Sequence, residues 1–279
     1  QYAPTVEDVT SARYRDFMAY LQAAHYGDHH DHIASRANRP LSPYTARAYA
    51  RVIHSWTRWL VGEGYLPLDP LRNEKLPKCP EHVVKPFTDA EVDALLATIS
   101  GKLKRWPAEA WRQLIAVLFL LDTGVRLSEF VTLTDDRLWL DQQRCLVMGK
   151  GRKERYVPFG SAVRRYLAHY MARWRPEALG EPAFTFRAPD GGQWSADRVG
   201  QVLRELGRQA GVAEVRAHRF RHTFAYRFIR NGGDPFSLQR ILGHADIKTT
   251  SVYTHVADAE AENPAAYLEN GLGGDDDGE

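Results

Sequence analysis

The sequence predicts a mainly α-helical protein of two domains, the second of which also contains a small antiparallel β-sheet. Apolar residues recur at helical spacing over most of the chain. A stretch with five prolines, residues 66–86, interrupts that pattern and indicates the passage between two domains. Between Leu138 and Pro158 the apolar residues instead fall in short runs separated by turn-prone residues, as in small antiparallel sheets.

The first domain is predicted to cover residues 1–78 and to contain two long helices. The first helix runs from Ser11 to Ala24, with one buried face formed by Tyr14, Phe17, Met18 and Leu21. The second helix has Ser42 as its N-cap and Pro43 in its first turn, and it ends at Gly62 and Gly64. Its apolar stripe consists of Tyr49, Val52, Ile53, Trp56, Trp59 and Leu60.

The loop between these helices, Tyr26 to Pro40, contains Asp28, His29, His30, Asp31 and His32. Imidazole and carboxylate groups are metal ligands, so a metal site is one interpretation of this loop. Neighbouring ligands in an irregular loop do not converge on one point, however, and we therefore expect a solvated connector and no metal.

The second domain is predicted to cover residues 88–265, after a linker at 79–87 and before an acidic tail at 266–279. Thr88 and Glu91 form a capping box that opens a helix ending near Ile99. Five more helices are predicted from spacing and capping residues, at Pro107–Thr123, Ser161–Trp174, Ser195–Ala210, Arg219–Asn231 and Asp234–Leu242.

The charge distribution is compatible with a nucleic-acid partner. The formal net charge is only +2, but the tail carries Asp275, Asp276, Asp277 and Glu279, so the rest of the chain is more basic. No apolar run is long enough for a membrane span, and no secretion signal opens the chain, so a soluble intracellular protein is expected. Cys79 and Cys145 are interpreted as reduced structural thiols.

Reactive side chains are concentrated in short segments of the second domain. These are Thr123 to Glu129, Gly149 to Arg155, His218 to His222, and Leu242 to Ala245 followed by Val252 to His255. Together and in this order they resemble the catalytic motifs of tyrosine recombinases, also called phage-type integrases. The resemblance covers most of residues 87–256.

The resemblance implies a role for each matching position. Arg126 and Arg221 match the family's phosphate-binding arginines, Lys150 matches the lysine of its β-hairpin, and His218 and His244 match its active-site histidines. Tyr253, nine positions after His244, matches the nucleophile, while Glu129 and His222 match supporting residues. Leu127 and Phe220 depart mildly from the usual pattern without changing the chemistry. No cofactor is implied.

Phosphodiester cleavage needs these residue types for physical reasons. Charge builds up on the non-bridging oxygens during in-line attack, and guanidinium groups such as those of Arg126 and Arg221 can stabilise it through paired hydrogen bonds. A phenol with a pKa near 10 must lose its proton as it attacks, and the departing 5′ oxygen needs one. Lys150 is the candidate acid, and its competitor Lys153 fits a contact with the DNA backbone better.

The first domain resembles the family's core-binding module more loosely, through residues 42–49 and three short segments at 59–60, 69–70 and 76–78. This resemblance favours phosphate contacts for Arg47, Arg51 and Arg58, although their spacing alone fits a solvated helix face. The family resemblance implies that the two domains of each chain clamp a double-stranded DNA recombination site. It also implies that four copies of the protein assemble on the DNA as a homotetramer, with no membrane as a partner. Residues 258–268 resemble the family's carboxy-terminal helix, which docks on a neighbouring protomer.

Each reactive residue also has an ordinary structural interpretation. Arg126 and Glu129 are spaced as a surface ion pair, and the histidines and Tyr253 are compatible with core or capping positions. The joint order and spacing favour the recombinase, which would act through a 3′-phosphotyrosyl link and a Holliday junction. The alternatives are a type IB topoisomerase or telomere resolvase, and a DNA-binding regulator without catalysis. A bacterial, phage or mobile-element origin and a cytoplasmic location are expected, whereas the target sequence, the accessory proteins and the biological role stay open.

Overall fold

The structure, a computed structural model, describes residues 5–23, 25–26, 39–80, 85–149, 151 and 153–243. The chain divides into two compact units, residues 1–83 and 84–279. Helices dominate both units and the second also contains a three-stranded antiparallel sheet, so the predicted fold class is confirmed. Among the described helices, none has the length and hydropathy required to cross a bilayer.

The first unit contains two long helices, α1 at Ser11–Ala23 and α2 at Pro43–Gly62. Between them a pair of two-residue strands, β1 at His25–Tyr26 and β2 at Arg39–Pro40, closes the ends of the predicted loop. The histidine-rich residues 28–32 lie outside the described residues. In the core, Nε2 of His54 on α2 lies 3.2 Å from the hydroxyl oxygen of Tyr14 on α1, so both polar groups are satisfied where they are buried.

The face of α2 that packs in this unit is not its most apolar stripe. Ala46, Ala50, His54, Thr57 and Leu60 are buried, whereas four large residues of the predicted stripe are 43–68% exposed: Tyr49, Val52, Trp56 and Trp59. Small residues allow α1 and α2 to approach closely, which side chains of tryptophan size would prevent. Of the predicted stripe, only Leu60 is buried and Ile53 packs against the core, so sequence hydrophobicity identified the core-facing side of this helix only in part.

The proline-rich stretch after α2 belongs largely to the first unit. Leu71 is fully buried there, Leu76 packs against the same core, and the hydroxyl of Ser11 donates to the carbonyl oxygen of Pro70 at 2.7 Å. At the other end, Phe87 is buried in the core of the second unit. Its backbone N–H donates to Oγ1 of Thr223 at 2.8 Å.

The second unit contains seven helices within the described residues: α3 at Asp89–Ser100, α4 at Pro107–Thr123, α5 at Leu127–Val131, α6 at Ser161–Arg173, α7 at Ala196–Ala210, α8 at Ala217–Arg230 and α9 at Pro235–Leu242. The predicted capping box is present at α3, where Thr88 and Glu91 each accept from the backbone N–H of the other. Helix α4 is buried on most sides because α3, α6 and α8 all pack against it.

The sheet consists of β3 at Leu138–Trp139, β4 at Arg144–Met148 and β5 at Glu154–Pro158, in that order. Strands β4 and β5 pair in full register from Arg144 opposite Pro158 to Met148 opposite Glu154. The backbone N–H of Gly149 then donates to the carbonyl oxygen of Lys153 at 2.9 Å, which closes the hairpin. Lys150 and Arg152 of the hairpin tip lie outside the described residues.

Gly124 ends α4 in the left-handed region, with φ of 60°. A Cβ atom at this position would overlap the ring of Phe224 and approach Cδ2 of Leu242 to 3.0 Å. Gly211 ends α7 with a similar φ of 68°, but a Cβ atom there would meet no atom within 4 Å. A side chain at Gly211 would therefore cause backbone strain alone, whereas a side chain at Gly124 would cause both strain and crowding.

We expect Gly124→Ala to lower the free energy of unfolding by about 2–4 kcal/mol, because about 1 kcal/mol of backbone strain and a further 1–3 kcal/mol of overpacking add together. The control Gly211→Ala carries the strain alone and should cost about 1 kcal/mol. Urea denaturation of both variants measures the difference. Equal losses would show that Phe224 and Leu242 adjust without cost.

Candidate active site

The structure brings several of the predicted site residues together near the carboxyl end of α9. Arg126 is the N-cap residue of α5, Glu129 lies on α5, and His218, Arg221 and His222 lie on α8. Lys150, His244 and Tyr253 lie outside the described residues, so their positions stay predictions. Lys153 is exposed beside the hairpin tip.

Glu129 is the buried carboxylate of this site. Its side chain is 1% exposed and accepts from the backbone N–H of Arg126 at 2.8 Å and from Nη1 of Arg126 at 2.9 Å. Burial alone would raise the pKa of Glu129, but hydrogen bonds from Arg155 and Arg126 outweigh that effect and lower the pKa. The ionised carboxylate therefore fixes the direction of the Arg126 side chain, which is 35% exposed and remains accessible to a ligand.

Arg155 on β5 also contacts this carboxylate. Its Nη1 and Nη2 donate to Oε1 and Oε2 of Glu129 at 2.8 and 2.9 Å, which is a paired, planar contact. The sequence assigned no role to Arg155. Alternation along β5 places Arg155 on the same face as the buried Val157, and this was the available signal that its charge needs a buried partner.

Three arginine side chains hold the carboxyl end of α9. Arg155 Nε donates to the carbonyl oxygen of Ile241 at 2.6 Å, and Arg221 Nη2 donates to that of Leu242 at 2.7 Å. Arg126 Nη2 donates to that of Gly243 at 3.2 Å. Cations are favourable at a helix carboxyl end, where carbonyl groups lack helical partners. The turn that leads to His244 and Tyr253 is thus fixed by arginines of three other elements.

Arg221 is 3% exposed and spans two helix ends. Besides its bond to Leu242, its Nη1 donates to the carbonyl oxygen of Gly124 at 2.8 Å, at the end of α4. Arg221 thus lies between the residues just before Arg126 and the end of α9. Its contact with a phosphate stays a prediction.

His218 and His222 stand one turn apart on α8, with ring centroids 4.5 Å apart in an edge-to-face arrangement. Partial burial lowers the pKa of His218, and the charges of Arg221 and Arg126 lower it further. Burial, His218 and Arg221 together lower the pKa of His222 to about 4. Both rings are therefore neutral at pH 7, and His218 can donate through its one ring N–H without adding a charge.

The low pKa of His222 predicts a pH dependence of stability. An unfolded histidine titrates near pH 6.5, so between pH 6.5 and 4 the unfolded chain binds the proton more readily, and stability falls as the pH falls. We expect His222→Gln to reduce the loss of unfolding free energy between pH 7 and 4.5 by on the order of 1–2 kcal/mol, allowing for partial exposure. Urea titrations at both pH values measure this difference, and an identical loss in both proteins would contradict it.

Arg219, which follows His218 on α8, anchors the start of the second unit. Its Nη2 lies 2.7 and 2.9 Å from the carboxylate oxygens of Glu91, and its Nε donates to the carbonyl oxygen of Lys85 at 3.0 Å. The guanidinium carbon also lies 4.1 Å from the ring centroid of Phe87. This residue was not singled out from the sequence, in which only a capping role for Glu91 was visible.

Arg47, Arg51 and Arg58 lie on one side of α2. Arg51 and Arg58 are exposed, and within the described part of the chain none of the three forms an ion pair. The row is therefore available to an anionic partner, and phosphate contact stays a prediction.

No cluster of three or more potential metal ligands occurs among the residues that the structure describes. The free thiol of Cys145 is buried, and this burial raises its pKa to about 12. A thiol that stays protonated is a poor nucleophile. Cys145 therefore offers no competing reactive group near the site.

Comparison with known proteins decides the family. The model of the phage integrase family matches residues 85–260, which is more than half of the chain and contains every predicted catalytic residue. The chain belongs to the phage integrase family. Its described site residues therefore occur in a tyrosine recombinase, as their order in the sequence indicated.

Curated relatives match over both units. The tyrosine recombinase XerD of Pseudomonas putida is 32% identical over 235 residues, which cover 83% of this chain and 78% of that protein. XerD of Mycobacterium leprae is 31% identical over 259 residues, covering 90% and 80%. These relatives confirm the prediction of a site-specific tyrosine recombinase that cleaves and rejoins DNA, and they do not favour the topoisomerase or the non-catalytic regulator.

Solved structures show the same fold. The Tn1549 transposon integrase in complex with transposon right end DNA aligns with a TM-score of 0.72 at 20% identity, covering 94% of this chain and 88% of that chain. The XerH recombinase bound to palindromic difH substrate aligns with a TM-score of 0.71 at 18% identity, covering 95% and 74%. At this identity the likeness concerns the fold alone.

Proposed function

We propose that this recombinase cleaves one DNA strand with the phenolic oxygen of Tyr253 and retains the broken end as a 3′-phosphotyrosyl link. The observation that supports the proposal most strongly is the convergence of Arg126 and Arg221 on the end of α9, ten positions before Tyr253, with Glu129 holding Arg126 in place. A phosphodiester is the substrate class that fits this group of charges. Arg126, Arg155 and Arg221 outnumber the single carboxylate of Glu129, which leaves a positive surplus.

In the proposed cleavage step, the bond from the Tyr253 oxygen to phosphorus forms as the bond from phosphorus to the 5′ oxygen breaks. Arg126 and Arg221 stabilise the charge on the non-bridging oxygens, and the neutral His218 ring donates a further hydrogen bond. Because Glu129 and the carbonyl oxygens at the end of α9 hold the arginines beforehand, little reorganisation is needed during the reaction.

Two proton transfers complete this step. The phenol proton passes to His244 or to water, since a group with a pKa near 10 is mostly protonated at neutral pH. The departing 5′ oxygen receives a proton from Lys150 on the hairpin tip, while Lys153 contacts the backbone phosphate. No metal ion is assigned a role, because guanidinium groups supply the positive charge.

The proposal extends to strand exchange between two double-stranded DNA sites. The free 5′ hydroxyl of the partner strand loses its proton as its oxygen bonds to phosphorus, and the bond from phosphorus to the Tyr253 oxygen breaks as the phenol regains a proton. One phosphodiester bond is thus exchanged for another, and a Holliday junction forms within a homotetramer. Arg47, Arg51 and Arg58 contact phosphates of the same site, and residues 258–268 dock on a neighbouring protomer.

The recombinase names and bacterial sources of the relatives support a DNA substrate and a cytoplasmic location. The structures of other recombinases in complex with DNA support the same partner.

A nicked suicide duplex tests the chemistry. The purified protein is incubated with a library of duplexes that lose a short fragment after cleavage, so that the covalent product accumulates, and denaturing gels followed by sequencing identify both adduct and site. We expect an adduct with one sequence class and, on plasmids that carry two such sites, joining of the sites. Relaxation of any supercoiled plasmid without joining would instead support a topoisomerase, and absence of an adduct would contradict the proposal.

A further inference from the structure

We infer that Arg155 is a positioning residue for cleavage, one that aligns Arg126 and the end of α9 with the β4–β5 hairpin without touching the DNA. This inference rests on the proposed function, because it assigns Arg155 a part in the same reaction. Two sets of hydrogen bonds from its guanidinium group support the inference, one to the carboxylate of Glu129 and one to the carbonyl oxygen of Ile241.

The contact with Glu129 transmits position to Arg126. Both oxygens of the carboxylate accept from Arg155, at 2.8 and 2.9 Å, and the same oxygens accept from the backbone and side chain of Arg126. The Arg155 side chain is 12% exposed and that of Glu129 is 1% exposed, so water cannot replace either group readily. Without Arg155, the carboxylate loses the partner that fixes its plane and can rotate together with Arg126.

The contact with Ile241 transmits position to the turn before Tyr253. Nε of Arg155 donates to this carbonyl oxygen at 2.6 Å, next to the carbonyls that hold Arg221 and Arg126. The side chain also lies tightly under Gly243, where a Cβ atom would come within 3.1 Å of Cδ and Nε of Arg155. One planar group thus fixes β5, α5 and the end of α9 relative to one another.

Only an arginine can make these contacts together. A guanidinium presents Nε, Nη1 and Nη2 in one plane, whereas a lysine offers a single ammonium group. Arg155→Lys keeps the charge beside Glu129 but cannot reach both oxygens and the Ile241 carbonyl in this geometry. Misplacement of a reacting group by about 1 Å costs on the order of 10²-fold in rate, so even this substitution should slow cleavage.

The experiment measures the single-turnover rate of adduct formation for Arg155→Met, for Arg155→Lys and for the wild-type protein. The substrate is the suicide duplex that the sequencing of covalent adducts has identified. We expect adduct formation to slow by about 10- to 100-fold for Arg155→Met and by less for Arg155→Lys. Affinity for the duplex should stay unchanged, because Arg155 does not contact it. The control Arg137→Met removes another arginine–carboxylate pair that reaches β5, between Arg137 just before β3 and Glu154 at 2.7 Å on the surface, and it should leave the rate unchanged.

A second duplex separates positioning from a general loss of structure. In a methylphosphonate duplex one charged non-bridging oxygen at the cleavage point is replaced by an uncharged methyl group, so less positive charge is needed. If Arg155 acts through Arg126, the rate penalty of Arg155→Met shrinks on this duplex, as does that of Arg126→Met. If Arg155→Met slows adduct formation equally on both duplexes, or does not slow it on the unmodified duplex, the role of Arg155 as a positioning residue is overturned. The proposed function is upheld in both cases as long as the wild-type protein forms the adduct. If the wild-type protein forms no adduct, both the proposed function and the role of Arg155 are contradicted.

Discussion

Tyr253→Phe abolishes formation of the covalent adduct on a suicide duplex and leaves DNA affinity unchanged: this is the largest effect that we expect. The substitution removes only the phenolic oxygen, which is the atom that the proposal joins to phosphorus. Loss of a nucleophile reduces the rate by on the order of 10⁴-fold or more, because the remaining groups stabilise a transition state that cannot form. Adduct yield on a denaturing gel and duplex binding by gel shift measure the two properties separately.

Tyr166→Phe is the matched control, since it makes the same change on α6, where the ring of Tyr166 packs against Trp111 with centroids 6.1 Å apart. It should retain the wild-type rate. A full-yield adduct in Tyr253→Phe would assign the attack to another residue, and peptide mapping of that adduct would identify it.

Arg126→Met has the second largest expected effect, a decrease of about 10²–10³-fold in adduct formation, the scale observed when one donor to a developing oxyanion is removed. The structure makes this residue distinctive because Glu129 and Gly243 hold the guanidinium while 35% of its side chain stays exposed. Methionine is about as long as the aliphatic part of arginine, so the change removes mainly the charge and the N–H groups. Rates under single-turnover conditions at saturating protein measure it.

Arg208→Met provides the control for this variant. Arg208 forms an ion pair with Glu205 three residues earlier on α7, at the same sequence spacing as Arg126 and Glu129, but its side chain is 74% exposed. Exposed pairs contribute little, so this variant should match the wild type in rate and stability. Equal rates for Arg126→Met and Arg208→Met would show that Arg126 is no more than an ion-pair partner.

The sequence was informative wherever local signals dominate. The capping box at Thr88 and the N-cap Ser42 begin their helices as predicted, because cap geometry depends on neighbouring residues alone. The core-facing residues of α2 were predicted only at Ile53 and Leu60, since helix packing depends on the surface of its partner as well as on hydrophobicity. The five-residue helix α5 was missed because it is too short to show a periodic pattern.

The candidate site was predictable as a set of side chains but not as a set of contacts. Family resemblance named Arg126, Glu129, His218 and Arg221, yet the acceptors that hold the arginines include the carbonyl oxygens of Gly124, Leu242 and Gly243. Every residue carries a carbonyl group, so a sequence gives no sign of which ones will be used. The roles of Arg155 and Arg219 were not predicted, because the residues that they bind are distant in the chain and no local pattern links them.

The anchored end of α9 also limits how far the nucleophile can travel. Tyr253 lies ten positions after Gly243, and ten residue-to-residue steps extend to at most about 33–36 Å. This distance is close to one turn of duplex DNA. In the proposed step, however, the scissile phosphate is bound by Arg126 and Arg221 at this same turn. The connecting segment is therefore longer than the attack requires, and the arginines rather than the length of the chain determine which phosphate is cut.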